Sequence, residues 1–286
     1  MRYEGLAEFR AKGAAAVAKG PVLAVLAEDG TEVESTLAHH LAQGFRRIVV
    51  FGAVALPEAM AAKVDLVAHD LTGEHAAEAA VNAMIALAPA GTWMAWVFNA
   101  EYLFFPFCED RGIGELGAFC AEERRDSLLT YVVDLYAPDL STHPDAVDVE
   151  QAHFDRTGYY ALVRRGRDTN PKERQLDFFG GLRWRFEEHI PPARRRIDRV
   201  AIFRTKPGLV LRPDHTLSDE EYNTYACPWH NSPTAAIASF RTAKALKRNP
   251  GSRHAIGTFR WPNSERFAWS SQQLMDLGLM EPGQWF

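Results

Sequence analysis

Pro21-Val-Leu-Ala-Val-Leu-Ala27, followed at once by Glu28-Asp29-Gly30, is the stretch whose reading decides the fold. A short apolar run that stops abruptly in a polar turn is the pattern of a strand buried on both faces, with its end open to solvent or ligand. Downstream, Val33, Leu37, Leu41 and Phe45 recur every four residues, with Gly44 near the end and Arg46-Arg47 beyond it, which predicts an amphipathic helix over 33–45. Ile48-Val-Val-Phe51 and Val64-Asp-Leu-Val67 read as further strands, separated by a short helix over 57–63. An alanine-rich helix is expected over 74–87, a strand over 93–98, a helix over 114–125 and a strand over 128–133. Strands alternating with helices at this spacing imply an α/β fold with a mostly parallel sheet covered on both faces.

Beyond about residue 139 the pattern loses regularity until two expected helical stretches, 234–248 and 264–279. The 286 residues, 47% of them hydrophobic, are enough for one sizeable core, and no shift in composition calls for a second domain, so a single domain over 1–286 is expected. A net charge of -5 supplies no general positive field, and nucleic acid is not an expected partner. Cys108, Cys120 and Cys227 form neither a metal-binding pair nor an even disulfide framework, which fits a reducing compartment. The N-terminal residues mix charges through their apolar positions, and the most apolar stretch, 84–107, is broken by Pro89, Gly91, Asn99 and Glu101. No transmembrane segment and a cytoplasmic location are therefore expected.

In an open parallel sheet, ligands bind beyond the carboxyl ends of the strands, where loops and helix N-termini converge. Glu28-Asp29 follows the first strand, and Asn99-Ala-Glu101 follows the strand that begins near Trp93. Two side-chain oxygens two residues apart in an extended segment point to one side, and can share a hard cation such as Mg²⁺ or Mn²⁺, or hold a sugar or ribose hydroxyl. Glu28 and Asp29 also suit a second role as caps of the following helix. Asp134 follows an apolar strand, where a carboxylate is placed either to deprotonate a hydroxyl or to sit in a surface loop. Arg183, Arg185 and Lys206 are cations of the kind that grip phosphate, or else surface ion-pair partners.

These residues lie in an order that resembles a bacterial branch of the family 2 glycosyltransferases. The likeness rests on Glu28-Asp29, Val33-Glu-Ser-Thr-Leu-Ala-His-His40, Gly44 and the strand at Ile48 to Phe51, then on Asn99-Ala-Glu101-Tyr-Leu-Phe. It continues through Phe179-Gly-Gly-Leu-Arg-Trp-Arg185, Lys206-Pro207 and Ile237-Ala-Ser-Phe-Arg241, covering most of the chain from Val22 to Leu279. The resemblance implies a GT-A fold, with residues of about 20–138 binding a nucleotide-sugar donor and about 139–286 forming the acceptor side. It further implies a divalent cation at Asn99 and Glu101, donor contacts from Glu28, Asp29, Arg183 and Lys206, and Asp134 as base toward a saccharide, lipid or protein hydroxyl. The chain departs from the family where Asn99 replaces the first acid of the cation motif, Tyr102 a later acid, and Ser239 a histidine. The alternative reading is a catalytically inactive GT-A scaffold that acts as a binding or interaction protein.

Other features read as structural. His39 and His40 point about 100° apart on a helix, so they do not chelate one ion together; His40 borders the buried stripe and His39 faces away. The basic runs Arg164-Arg-Gly-Arg167 and Ala193-Arg-Arg-Arg196 suit solvated loops, and Cys227-Pro-Trp-His-Asn231 brings a thiol and an imidazole close in sequence.

Overall fold

The computed structural model describes residues 1–166, 168–226 and 232–285. The chain begins with β1 (Arg2–Tyr3) and α1 (Leu6–Lys12), then enters the apolar run as β2 (Val22–Ala27). Next come α2 (Val33–Ala42), β3 (Arg47–Gly52), α3 (Glu58–Ala61), β4 (Asp65–Val67), α4 (Ala76–Leu87) and β5 (Trp93–Phe98). A short β6 (Glu101–Phe104), α5 (Ile113–Glu122) and the long β7 (Ser127–Tyr136) follow. The remaining chain forms β8 (His153–Asp155), a hairpin of β9 (Tyr160–Arg165) and β10 (Pro171–Phe179), α6 (Gly181–Arg185) and β11 (Asp198–Arg204). It ends with β12 (Ala235–Ser239), α7 (Arg241–Arg248), β13 (Ser264–Arg266) and α8 (Ser271–Asp276).

The main sheet has the order β1-β4-β3-β2-β5-β11-β7-β12-β6, with β8 and β13 continuing from β7. It is mixed but mostly parallel, because only β11, between β5 and β7, and β6, beside β12, run against their neighbours along that order. Every residue of β2 is buried, and the strand is paired on both sides, to β3 and β5. Its alternate side chains reach two different cores. Val22, Ala24 and Leu26 pack with Phe9, Val81 and Met84, beneath α1 and α4. Leu23, Val25 and Ala27 pack with Leu37, Leu116 and Cys120, beneath α2 and α5. Burying such a valine or leucine contributes about 1.5–3 kcal/mol, which is why an unbroken apolar run identifies the strand.

Two expectations are corrected by this arrangement. Residues 234–248 do not form one helix: Ala235–Ser239 is a strand, and only Arg241–Arg248 is helical. The alanines that favoured a helix occupy a slot between β7 and β6, where strand pairing satisfies a wholly buried backbone. Residues 264–279 likewise divide into β13 and α8, with the cap of α8 made by the Ser270 hydroxyl accepting from the Gln272 N–H. No helix among the described residues is long and apolar enough to cross a membrane.

Candidate functional site at the carboxyl edge of the sheet

The strand directions collect chemistry at one edge. The carboxyl ends of β2, β5, β7 and β12 lie there, joined by the starts of the two reversed strands, β6 and β11. Glu28, Asp29, Asn99 and Glu101 come to this edge, and so does Asp134, which lies inside β7 and is buried rather than following the strand in a surface loop. Four cations to which that reading gave no site role come with them: Arg199 at the start of β11, and Arg241, Lys244 and Arg248 on α7.

Glu28 forms a two-pronged pair with Arg241, at 2.6 and 2.7 Å, and the Arg241 guanidinium lies 3.7 Å from the centre of the Phe98 ring. Asp29 receives Lys244 at 3.0 Å, together with Arg248, the Thr31 N–H and the Asn99 amide. Its carboxyl is held well below the usual range: burial alone would raise it, but Lys244, the Thr31 N–H and Arg248 outweigh that. Neither acid caps α2, whose N-cap is Glu32 in a left-handed conformation. Arg241, Lys244 and Arg248 project from one face of α7 because residues three, four and seven apart align on a helix.

Asn99 is a buried tie between loops. Its carbonyl oxygen accepts from the Glu28 N–H at 2.9 Å, and its amide donates to Asp29 at 2.7 Å and to the Thr31 carbonyl at 2.9 Å. Glu101 is 1% exposed and just as fully engaged. One oxygen accepts from Arg199 and the Phe98 N–H, and the other from the Ser239 hydroxyl at 3.0 Å. Burial would raise the Glu101 carboxyl, but the Arg199 charge and bond pull it down to about 2. Arg199 is itself buried, with its guanidinium 4.5 Å from the centre of the Trp96 ring.

Those contacts test the expected divalent cation against the donor set. A dication needs free oxygen ligands and an excess of negative charge. The Asn99 oxygen and both Glu101 oxygens already accept internal hydrogen bonds, and a guanidinium neutralises Glu101, so the pair does not fit a cation in this arrangement. Among the described residues, no group of three or more His, Cys, Asp or Glu side chains is gathered to hold a metal ion.

Asp134 differs from every other acid at this edge. It is 1% exposed, and neither carboxylate oxygen makes a hydrogen bond of full geometry, although the Thr242 side chain and the Arg183 backbone N–H stand close enough to draw its carboxyl down. The nearest opposite charge is Arg183 on α6, with its Nε 3.9 Å away. Arg183 spends its own donors on the Thr242 hydroxyl at 3.2 Å and the Arg196 carbonyl at 2.5 Å. Burial pushes the Asp134 carboxyl above its ordinary value, and the Arg183 charge offsets this only in part. The Gly-Gly pair that precedes Arg183 has a steric role here. A Cβ on Gly180 would lie 2.3 Å from the Tyr159 ring, and one on Gly181 would lie 2.9 Å from Asp134 Oδ2. Gly181 also has φ of 59°, where a side chain costs about 1–2 kcal/mol. Gly181→Ala should therefore lower the unfolding free energy measured in urea by at least that cost; an unchanged value would show that the turn can be rebuilt.

Lys206 stands apart from the rest. It follows the carboxyl end of β11, and because β11 runs antiparallel that end lies at the amino edge of the other strands, roughly 20 Å away along a seven-residue strand. Lys206 pairs there with Asp219. The histidines are structural: His40 is buried and neutral, drawn down to about 3 by burial, and bonds the Thr36 carbonyl and the Leu103 N–H. His39 is half-buried against Tyr102 rather than turned away. Arg164 and Arg196 share Asp177 and Asp198, while Arg185 donates to Asp155 at 3.0 Å. Arg167, Cys227-Pro-Trp-His-Asn231 and Phe286 lie outside the described residues. No known protein family matches the chain, and no curated protein sequence matches it.

Proposed function

We propose that this chain is a glycosyltransferase-like protein of the GT-A type, which transfers a sugar from a nucleotide-sugar donor to a hydroxyl acceptor with Asp134 as the base. The observation that carries the reading is the Asp134 carboxylate, buried with no hydrogen bond of full geometry on either oxygen and with only the Thr242 side chain and the Arg183 backbone as nearby donors. A carboxylate kept only for structure acquires donors, because leaving it buried without them costs several kcal/mol, roughly 1–3 or more. A base whose carboxyl sits above its ordinary value is better matched to taking a proton near neutral pH. In the reaction, the acceptor oxygen forms a bond to the anomeric carbon and gives its proton to Asp134. The bond from that carbon to the diphosphate oxygen breaks, and its electron pair leaves with the nucleotide diphosphate.

The leaving diphosphate carries charge that must be offset. This reading gives that task to Arg241, Lys244 and Arg248, cations on one helix face at the same edge, in exchange for their bonds to Glu28 and Asp29. A second reading, an inactive scaffold that binds or recruits, has its own support: Glu28, Asp29 and Glu101 are each neutralised by an internal ion pair. Calorimetry with UDP, GDP and CMP sugars, with and without Mn²⁺, followed by product analysis with Asp134→Asn, separates the two. The transferase reading expects donor binding in both proteins and turnover only in the wild type. Binding without turnover in the wild type supports the scaffold, and no binding to any donor rejects the transferase.

A further inference from the structure

The hairpin of β9 and β10 joins the body of the protein through β10. There the Phe178 carbonyl accepts from the Ile197 N–H at 2.8 Å and the Phe178 N–H donates to Asp198 at 2.7 Å, so both backbone groups of Phe178 point away from β9. Phe178 stands opposite Ala161 in the antiparallel register, and in such a non-hydrogen-bonded pair the backbone groups of the facing residue also point outward. Alternation along the strand then turns the N–H and carbonyl of Ala161 and Val163 to the outer edge of β9, while those of Tyr160 and Leu162 face β10. Among the described residues nothing bonds to these outer groups. The same edge is apolar: Tyr160, Leu162 and Val163 are 46, 56 and 50% exposed.

Folded proteins protect an open strand edge with charges, proline, a bulge or a cover, because bare N–H and carbonyl groups are a template for another strand. This chain does so at β6, the last strand of the main sheet. The Leu103 N–H donates to His40 Nε2 at 3.2 Å, and the Leu103 carbonyl accepts from the Gln43 amide at 2.5 Å and the His39 ring at 2.8 Å. On β9, residues 160–163 hold no charge and no proline, and Arg164 turns inward to Asp177 and Asp198. The irregularity of the hairpin falls on β10, between Pro171 and Leu176. A second copy of the chain fits the bare edge by symmetry. In an antiparallel pair related by a two-fold axis perpendicular to the sheet, opposed residues share a face, so they are an even number of positions apart in sequence. An axis at Leu162 sets Leu162 opposite the partner's Leu162, Ala161 opposite the partner's Val163 and Tyr160 opposite the partner's Arg164. Ala161 and Val163 are the residues whose backbone groups face outward, so each exchanges both its bonds with the other copy. Leu162, the most exposed of the three apolar side chains, takes the close non-hydrogen-bonded position on the axis. No like charges are opposed, whereas a parallel pairing in register would set Arg164 against Arg164 and Arg165 against Arg165.

We propose that this protein forms a two-fold dimer through the outer edge of β9, joining two hairpins into one continuous antiparallel sheet centred on Leu162. A two-stranded hairpin is marginal by itself in water, and further strands stabilise it. An interface of a few strand residues a side is small, so the association is reversible and depends on protein concentration. The dimer does not rest on the transferase reading.

Sedimentation velocity of the full chain over a range of concentrations tests it. The wild type should pass from monomer to dimer as concentration rises. Leu162→Lys sets two like charges against each other on the axis, and should raise the dissociation constant at least tenfold. Because Leu162 is exposed, that variant should keep the melting temperature of the dilute wild type. Leu162→Cys brings two thiols together, since opposed Cα atoms of a non-hydrogen-bonded antiparallel pair lie about 4.5 Å apart, within disulfide reach. Mild oxidation should cross-link that variant into dimers, while the wild type, with its own cysteines, and Tyr160→Cys should not cross-link. The proposal is overturned if the wild type stays monomeric up to about 1 mM, if Leu162→Lys dimerises as readily as the wild type, or if Leu162→Cys cross-links no more than the wild type. The first of these outcomes would leave the edge to an extended segment of another protein, and the second would place the dimer contact on another face.

Discussion

Asp134→Asn should make the protein more stable at neutral pH and remove its transfer activity. The wild-type carboxylate is buried with no hydrogen bond of full geometry on either oxygen, and Asn keeps its size while removing the charge. Relieving an unmet buried group of this kind is worth about 1–3 kcal/mol, and each kcal/mol moves the melting temperature of a protein of this size by roughly 2–4 °C. The groups that face Asp134 are Arg183 and Thr242, with Asp155 adding a like charge. Burial is the largest influence, so the folded-state pKa lies above the unfolded one. A group shifted in that direction favours the fold fully below its unfolded pKa and loses that contribution as pH rises through the folded pKa. The stability gap between Asp134→Asn and the wild type should therefore be absent in acid and open on the alkaline side of the folded pKa. Transfer by the wild type should fall in acid across that same folded pKa. Melting curves across pH, read beside product formation, check both statements. A variant less stable than the wild type at pH 7 would mean that Asp134 is held by contacts the carboxylate needs, and the base assignment would lose its physical basis.

Glu101→Ala should destabilise the fold by about 3–5 kcal/mol, since removing one partner of a buried ion pair leaves the other charge without its counterion. Here the orphan would be Arg199, buried against Trp96, and the Ser239 hydroxyl and Phe98 N–H would lose their acceptor as well. Replacing both members, as in Glu101→Gln with Arg199→Met, should recover most of the loss, because no net buried charge then remains. The pH dependence follows from the lowered carboxyl of Glu101. Its contribution is complete above its ordinary value of 4.5 and is lost as pH falls toward about 2. Urea unfolding of the wild type, Glu101→Gln, Arg199→Met and the double variant measures the coupling. An unchanged midpoint for Glu101→Ala, accompanied by loss of a Mn²⁺-dependent rise in the wild-type melting temperature, would reinstate Glu101 as a cation ligand. Because the single variant is expected to unfold so readily, it cannot by itself report on catalysis.

Much of the fold is legible from local pattern. The strands at 22–27, 47–52, 65–67 and 93–98 and the helices between them follow from apolar runs, four-residue spacing and glycine stops, all of which act over a few residues. The strands at 101–104, 198–204 and 235–239 do not announce themselves in the same way. Ala235–Ser239 is rich in alanine, and its strand state comes from two neighbours supplied by distant parts of the chain. The site divides along the same line. Glu28, Asp29, Asn99, Glu101 and Asp134 are visible as polar residues at the ends of apolar runs. Arg199 is not, because nothing nearby in sequence distinguishes it from other arginines, and the Ile237-Ala-Ser-Phe-Arg241 stretch marks Arg241 without showing that Glu28 is its partner. A basic row at 241, 244 and 248 on one helix face is the one signal that could have drawn attention to α7.

By itself, the sequence determined that this is an α/β chain with a buried strand at 22–27 and acids set at its strand ends, because periodicity and the polarity of turns are local properties. Only the tertiary structure decided what those acids do. Glu101 and Arg199 are 98 residues apart, and Asp29 and Arg248 are 219 apart, so their pairing depends on the reversed direction of β11 and on α7 following β12. The same packing sends Lys206 to the opposite edge and leaves Asp134 without a well-formed hydrogen bond. Whether a buried carboxylate is satisfied is a question of which donors come within about 3 Å of it, and that depends on the packed fold.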